Sequence, residues 1–114
     1  MRLDFSEMVL EKALSLFAEN QQVIAQNLAN MATPGYKTET LSFQNALAHG
    51  IQSGNLASVD PQVITLPGST SPDGNNVDLE AQMTDLLKNT TADNIALSEE
   101  NSYFQNLTYV VENS

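Results

Sequence analysis

Apolar residues in the first third of the chain recur at alternating steps of three and four residues. With Glu7 and Gln21 as its two polar interruptions, this row consists of Leu3, Leu10, Leu14, Phe17, Ile24, Leu28 and Met31. A repeat of 3.5 residues that is sustained for about four heptads is typical of a coiled-coil seam. We therefore predict a helix over residues 1–31 whose seam packs lengthwise against another helix.

A second apolar row lies beside the first on the same helix and consists of Val9, Leu16 and Val23. It makes the apolar face wider than a two-stranded seam requires. An ordinary amphipathic helix on a globular core is the alternative interpretation of such a face. The length of the repeat in so small a chain favours the coiled coil or helix bundle.

The last third of the chain, residues 77–114, is also predicted to be helical. Asp78 and Glu80 lie at its start, where negative charge complements the helix dipole. Its apolar row has the same spacing and consists of Met83, Leu86, Leu97, Phe104, Leu107 and Val111. Thr90, Asp93 and Glu100 occupy the positions between them, so the middle of this helix is only weakly hydrophobic. We expect it to need a partner to be stable.

The segment between the helices, residues 32–76, contains all four prolines and all five glycines of the chain. Its pattern allows a short helix over residues 41–51 and a short strand over residues 59–66, followed by an exposed loop over residues 69–76. We expect this segment to be irregular and partly mobile. The predicted fold class is all-α, a single domain in which long N- and C-terminal helices pair as a coiled-coil-like hairpin.

The predicted helices are too long to bury their apolar faces against each other alone. Helices of about 28 and 35 residues would extend over roughly 42 and 52 Å at 1.5 Å per residue. A hairpin of two such rods leaves apolar surface for neighbouring molecules, as in a symmetric or helical assembly. The sequence therefore predicts a rod-shaped subunit that depends on assembly.

The charge of the chain excludes several classes of function. Its 14 acidic and 4 basic side chains give a net charge of −10, which opposes binding to nucleic acids and to anionic membrane surfaces. The absence of cysteine excludes disulfides and thiolate metal sites. No apolar run of about 18 residues could span a membrane. Asp4, Glu7 and Glu11 interrupt the N-terminal apolar residues, so we expect no ordinary cleaved signal peptide.

The sequence shows no constellation of catalytic residues. His49 is the single histidine and is expected to be solvated. Residues 73–78 resemble an Asp- and Asn-rich calcium loop, but the twelfth position is Thr84 where an EF-hand has glutamate. A tight turn before a helix explains them more simply. Glu99 and Glu100 are adjacent on a helix and diverge. We predict no enzyme activity, no metal, no cofactor and no small-molecule substrate.

The first helix ends in a strong stop signal. Pro34 disfavours helix at Thr33, Gly35 permits a positive φ, and Tyr36 can anchor the following loop through its ring while its hydroxyl stays in water. Asn27, three residues before Asn30, can hydrogen-bond to a neighbouring molecule or to the following loop. We favour a contact between subunits for this motif as a whole.

Two motifs in this chain resemble those of a known family. Asn27-Leu28-Ala29-Asn30 followed by Thr33-Pro34-Gly35-Tyr36-Lys37 is similar to a motif near the N-terminus of bacterial flagellar rod and hook proteins. The stretch from Asp73 to Glu80 is similar to the start of the C-terminal helix in rod proteins of the FlgB type. The candidate family residues are Asn27, Ala29, Asn30, Thr33, Pro34, Gly35, Tyr36, Asp73, Gly74, Asn76, Val77 and Asp78. Residues 41–71 carry no such motif.

The resemblance implies a structural subunit of the proximal rod of the flagellar basal body, in the periplasm next to the MS ring. Its implied partners are other copies of itself, other rod proteins, proteins of the MS-ring junction and the type III export apparatus. Export would leave the chain uncleaved.

Two alternatives remain at this point. One is a neighbouring rod subunit of the FlgC type, against which the stretch from Asp73 to Glu80 argues. The other is a small acidic type III export chaperone or adaptor, which suits the size and charge but leaves the first motif unexplained.

Overall fold

Two long terminal helices frame a small two-stranded sheet. The computed structural model describes residues 4–68 and 71–112, and from residue 100 onward it describes the backbone alone. In chain order the elements are α1 (Phe5–Ala29), β1 (Glu39–Ser42), α2 (Gln44–Ser53), a short 3-10 turn (Leu56–Ser58), β2 (Gln62–Thr65) and α3 (Leu79–Glu112). The predicted terminal helices are confirmed. The chain is mostly helical, as predicted, but β1 and β2 also form a small two-stranded sheet that the all-α class does not include. Coiled-coil packing of α1 with α3 stays a prediction.

Capping side chains define where both long helices begin. The Asp4 carboxylate accepts a hydrogen bond from the Glu7 N–H at 2.8 Å, which satisfies one free donor of the first turn of α1. The Asp78 carboxylate likewise accepts from the N–H groups of Glu80 and Ala81, at 3.0 and 3.4 Å, at the start of α3. Asp78, expected at the start of the last helix, therefore caps it, and Asp4 caps α1 in the same way.

The central segment is more regular than its composition predicts. β1 and β2 are antiparallel, with Glu39 opposite Thr65 and Ser42 opposite Gln62. The predicted strand over residues 59–66 is confirmed as Gln62–Thr65. The predicted helix over residues 41–51 begins later, at Gln44. Leu41 and Phe43 are buried while Ser42 between them is exposed, which is the two-residue period of a strand.

The apolar core is small and lies where the sheet and α2 cover α1. Its buried members are Leu16, Val23, Leu41, Phe43 and Val59. The ring of Phe17 packs edge-on against Phe43, with centroids 6.1 Å apart. The second apolar row of α1 thus faces the sheet. The wide apolar face of this helix is explained by two different neighbours, the sheet on one side and α3 on the other.

The molecule is elongated, as expected for a rod-shaped subunit. It measures 67 × 26 × 17 Å, and its radius of gyration is 18.0 Å. A compact domain of this length would have a radius of gyration of about 13 Å. The difference follows from α3, whose 34 residues exceed the 25 residues of α1. In the described part of the chain, no helix combines the length and apolarity needed to cross a membrane.

Candidate functional site

The two sequence motifs fold against each other and form one hydrogen-bonded structure, which we call the motif junction (residues 27–39 and 73–78). The Gly35 N–H donates to the Asp73 carbonyl at 2.8 Å. The side-chain amide of Asn75 donates to the carbonyl oxygens of Asn30 and Thr33, at 3.0 and 2.7 Å. The turn that ends α1 is therefore attached to the turn that precedes α3.

Asn27 is at the centre of the motif junction and is only 1% exposed. Its side-chain oxygen accepts from the Tyr36 hydroxyl at 3.0 Å and from the Glu39 N–H at 2.9 Å. Its side-chain nitrogen donates to the Glu39 carbonyl at 2.7 Å and to the Gln82 side chain at 2.9 Å. These four bonds use the whole hydrogen-bonding capacity of the amide. One side chain thus links α1, the first motif, β1 and α3.

Asn76 attaches the second motif to the sheet. Its side-chain oxygen accepts from the Thr38 N–H at 2.6 Å, and its side-chain nitrogen donates to the Leu66 carbonyl at 2.9 Å. Its own N–H donates to the Tyr36 carbonyl at 3.2 Å. Asn76 therefore holds the residues before β1 and after β2 at a fixed distance from the start of α3.

Two glycines of the motif junction have backbone conformations that favour glycine. Gly35 and Gly74 have φ angles of +76° and +83°, which side chains other than glycine rarely adopt. A Cβ atom on Gly74 would lie 3.5 Å from the Gly35 Cα. The Lys37 ammonium group donates to the Gly74 carbonyl and, at 3.3 Å, to the Gly68 carbonyl. The turn around Gly74 is therefore held by backbone and side-chain contacts from the first motif.

Two titratable groups of the motif junction have shifted pKa values. The pKa of Asp73 is lowered, chiefly by the Ser71 hydroxyl bond and the Asn75 N–H, with a smaller effect of Lys37. Since the folded state favours its charged form, any stabilisation from Asp73 is lost as the pH falls through this lowered pKa. Burial, followed by the negative charge of Glu39, raises the pKa of Tyr36. Tyr36 therefore stays protonated and can donate to Asn27 at neutral pH.

The contacts of the first motif differ in part from those that the sequence predicts. The amide of Asn27 bonds within the chain, which is the second of the two options that the sequence allowed. The Tyr36 hydroxyl, which the sequence places in water, donates to the buried Asn27, while the residue as a whole is half-buried. Ala29, Thr33 and Pro34 are exposed, so a contact between subunits stays a prediction for them.

The surface between α1 and α3 is made of amide and small side chains. Among the side chains of α3 that the structure describes, the buried ones are Gln82, Asn89 and Ala96, and from α1 Asn27 bonds to Gln82 and Asn20 to Asn89. The Asn20 side chain donates to the Asn89 oxygen at 2.9 Å, and Asn89 donates to the Phe17 carbonyl and the Gln21 side chain, both at 3.0 Å. Amides that bond across the two helices thus recur seven residues apart, at Gln82 and Asn89 of α3 and at Asn20 and Asn27 of α1.

The residues of the predicted apolar seam have three different environments. Ile24 is buried, and those that are half-buried are Leu10, Leu14, Phe17, Leu28 and Leu86. Met83 and Leu97 are exposed by 51% and 43%. The side chains of Phe104, Leu107 and Val111 lie outside the described residues. Asn20, Asn75, Gln82 and Asn89 were not predicted, although the seven-residue spacing of the amides could have indicated the last two.

We expect the amide layer of Asn20 and Asn89 to show strong coupling. Asn89→Leu alone should lower the free energy of unfolding by about 1–2 kcal/mol, since it leaves Asn20 and Gln21 without their partner. Adding Asn20→Leu should recover most of that loss, because two apolar side chains can pack together in the same layer. Urea unfolding followed by circular dichroism gives the four values of this cycle. If the two changes in the free energy of unfolding simply added, Asn20 and Asn89 would not be coupled in one layer.

No group with the spacing of a metal site occurs among the described residues. His49 is exposed on α2. A groove of about 570 Å³ lies between α1, β1 and α3. Its walls include Phe17, Leu41 and Ile64 on one side and Asp85 and Lys88 on the other. The arrangement as a whole fixes the direction in which the chain leaves α1 and enters α3.

Comparison with known proteins gives a consistent result. A family model described as flagella basal body rod protein matches residues 9–37. The chain is 37% identical to the flagellar basal body rod protein FlgB of Bacillus subtilis (strain 168), over 70% of this chain and 72% of the relative. It is 29% identical to FlgB of Escherichia coli (strain K12), over 85% and 86% of the two chains. FlgB of Aeromonas hydrophila is 30% identical over 83% of each.

The elongated helical pair, the motif junction and these matches together define a structural protein of the flagellar basal body rod. More specifically, the chain belongs to the FlgB family of flagellar basal body rod proteins. The predicted structural role is confirmed, as is the prediction that the chain is not an enzyme, because the family is structural. The relatives do not favour the FlgC-type or chaperone alternatives.

Proposed function

We propose that this chain forms part of the proximal rod, next to the MS ring, and that the outer surface of α3 joins it to its neighbours. The chemistry of α3 carries this proposal. The side facing α1 contains Gln82 and Asn89, whereas exposed apolar side chains lie beside and opposite that face, and we call them the outer stripe. The outer stripe consists of Leu79, Met83, Leu87 and Leu97.

The outer stripe is unusual for a helix that remains monomeric. Its four side chains are exposed by 48%, 51%, 68% and 43%. In a globular domain the apolar side of a helix faces the core and the polar side faces water. Here amide side chains face α1 while four large apolar side chains are exposed, and exposed apolar surface of this kind is typical of an interaction site. Neighbouring rod subunits are the occupants that family membership supports.

The motif junction would serve this assembly by fixing geometry. It sets the angle between α1, the sheet and α3 through the hydrogen bonds of Asn27 and Asn76. The exposed Thr33 and Pro34 at its surface would then meet a neighbour at a defined position. A subunit that must fit a helical array requires such fixed angles, because small errors accumulate from copy to copy.

The proposal also covers the export route of the chain and the proteins that it contacts. We infer that the chain passes through the type III export apparatus without cleavage and reaches the periplasmic part of the rod. There it would contact other rod proteins and proteins of the MS-ring junction. Mass spectrometry of purified basal bodies tests this step. An intact N-terminus in the rod fraction supports it, and recovery only from the cytoplasm in complex with a secreted client would overturn it.

Leu87→Asp is expected to abolish assembly into the rod and motility while leaving the fold intact. Leu87 is the most exposed residue of the outer stripe, so a charge there reaches water in the monomer but not in an apolar contact. Motility and the basal-body content of the chain would be measured in cells in which the variant replaces the wild-type protein. Circular dichroism of the purified variant reports its folding.

Ala81→Asp is the matched control for this variant. It places the same charge on the same helix, at an exposed position outside the outer stripe. It should leave motility and incorporation unchanged. Normal incorporation of Leu87→Asp, or an equal loss of incorporation in both variants, would show that the outer stripe does not contact neighbouring rod subunits.

A further inference from the structure

Asp73 and Gly74 form a chemically reactive pair of a kind that this chain contains once. No other Asp or Asn in the sequence is followed by Gly. An aspartate side chain closes most readily onto the next main-chain nitrogen when that residue is glycine, because glycine has no Cβ to hinder the approach. Asp60 is the opposite case, since the nitrogen of Pro61 carries no hydrogen to lose. The sequence therefore places a single bond of this reactive type in the second motif.

The reaction converts aspartate into isoaspartate and needs no reagent except water. The Gly74 nitrogen attacks Cγ of the protonated Asp73 carboxyl, a C–N bond forms, and the carboxyl hydroxyl leaves with the N–H proton as water. The product is a cyclic succinimide. A water molecule then adds to either ring carbonyl and breaks its C–N bond. Opening at the main-chain carbonyl leaves the chain linked through Cγ, which is isoaspartate, whereas the other opening restores aspartate.

The motif junction holds both ends of the Asp73–Gly74 peptide bond. Its carbonyl accepts from the Gly35 N–H at 2.8 Å, and its N–H donates to the Ser71 carbonyl at 3.1 Å. Ring closure removes the proton of this N–H and carries its nitrogen to the carboxyl carbon. Both hydrogen bonds therefore oppose the reaction, and one of them comes from the first motif.

The Asp73 carboxyl is also held in its unreactive form. One of its oxygens accepts from the Ser71 hydroxyl at 2.6 Å and from the Asn75 N–H at 3.0 Å. These bonds, the Ser71 bond first, favour the carboxylate and lower the pKa of Asp73. A carboxylate cannot lose water to the attacking nitrogen, because only the protonated group has a hydroxyl to release. The two bonds also fix the direction of the side chain.

We propose that Asp73 is a site of isoaspartate formation that the motif junction suppresses, so that the bond is stable in the folded subunit and reactive in an unfolded chain. Isoaspartate routes the main chain through Cβ and Cγ and so lengthens it. The carbonyl that Gly35 contacts is then displaced, and Asn75 no longer reaches the carbonyls at the end of α1. A modified chain therefore cannot close the motif junction.

This site sets a time limit on the unfolded chain. Chains that close the motif junction keep the normal linkage, whereas chains that stay unfolded accumulate a linkage that prevents closure. The inference does not rest on the proposed position of the chain in the rod, since it follows from the Asp73–Gly74 bond and the contacts that hold it.

Peptide mapping of the full chain tests the site directly. The chain is kept at neutral pH, folded in buffer or unfolded in guanidinium chloride, and its peptides are separated by chromatography, which resolves isoaspartate from aspartate at equal mass. We expect isoaspartate at Asp73 in the unfolded chain and a rate about a hundredfold lower in the folded chain, because at least two hydrogen bonds must break and each is worth about tenfold. Equal rates, or isoaspartate at Asp60 but not at Asp73, overturn the proposal.

A serine pair tests whether the contacts of Asp73 control the reaction. In the folded chain Ser71→Ala removes the hydroxyl bonded to the carboxylate and should raise the rate by about tenfold. Ser58→Ala removes an exposed hydroxyl bonded to the Asn55 carbonyl and should leave the rate unchanged. Urea unfolding of both variants measures their global stability. An equal rate in the two variants, or a rise that only follows a loss of global stability, contradicts this control.

Refolding of the modified chain tests the consequence. The isoaspartate and aspartate forms of an aged, unfolded sample are separated and returned to buffer. The aspartate form should regain the stability of the original chain. The isoaspartate form should have a folding equilibrium constant about a hundredfold smaller, since it lacks the bonds of Gly35 and Asn75 across the junction. Two forms of equal stability would show that the linkage does not prevent closure.

Discussion

Asn27→Leu is expected to lower the free energy of unfolding by about 3–5 kcal/mol. Leucine has nearly the same size, so the effect comes from lost hydrogen bonds and not from a cavity. It would leave the Glu39 backbone, the Tyr36 hydroxyl and the Gln82 amide without their partner at a position that is 1% exposed. Since a domain of this kind is stabilised by only about 5–15 kcal/mol, much of the margin would be lost. Urea unfolding followed at 222 nm measures the change.

Asn30→Ala is the matched comparison for this substitution. Asn30 has the same side chain three residues later, but its amide bonds are exposed, to the Gln26 carbonyl and the Thr33 hydroxyl. Water can replace them, and we expect a loss below about 1 kcal/mol. If the two variants were equally stable, Asn27 would not be the centre of the motif junction.

Phe43→Ala is expected to cost about 3–5 kcal/mol, which is usual for a buried aromatic residue. Phe43 is 3% exposed and contacts the ring of Phe17 edge-on. Among the described side chains the core cluster has five buried apolar members, so few neighbours can move to fill the cavity. Thermal unfolding should show a large fall in the midpoint. Loss of the sheet would follow, because Phe43 directly succeeds β1.

Phe5→Ala serves as the control for this prediction. Phe5 begins α1 and is 40% exposed, so its truncation leaves no closed cavity. A change of less than about 1 kcal/mol is expected. A Phe43→Ala variant as stable as Phe5→Ala would show that the sheet does not depend on this core.

Features that depend on neighbouring residues in sequence could be predicted. Asp4 and Asp78 indicate helix starts, and Pro34 with Gly35 indicates the end of α1, because capping and φ restrictions act over a few residues. β1 could not be found in this way. Its residues become a strand only by pairing with Gln62–Thr65, about twenty positions later, and by burying Leu41 on α1. Tertiary contacts here override a local pattern that suits a helix.

The residues of the candidate site could be identified from the sequence, but the contacts between them could not. The two motifs could be identified, but nothing in either one indicates that Asn75 reaches the carbonyls of Asn30 and Thr33. The apolar rows had a similar limitation. Periodicity shows that a helix has an apolar face, but it does not show whether that face meets a helix, a sheet or another molecule. In α3, the amides Gln82 and Asn89 face α1 instead.

Because the bonded amide pairs recur every seven residues along α1 and α3, a force that separates the two helices acts on these pairs one after another. The bonded layers are separate, with Gln82 and Asn27 beside the motif junction and Asn89 and Asn20 about 10 Å farther along. Beyond them lie Ala96 and Ala13, which form no hydrogen bond through their side chains. A pulling force on the far end of α3 would break one layer at a time and reach the buried Asn27 last. Under such a force the motif junction would then be the part of the pair that separates last.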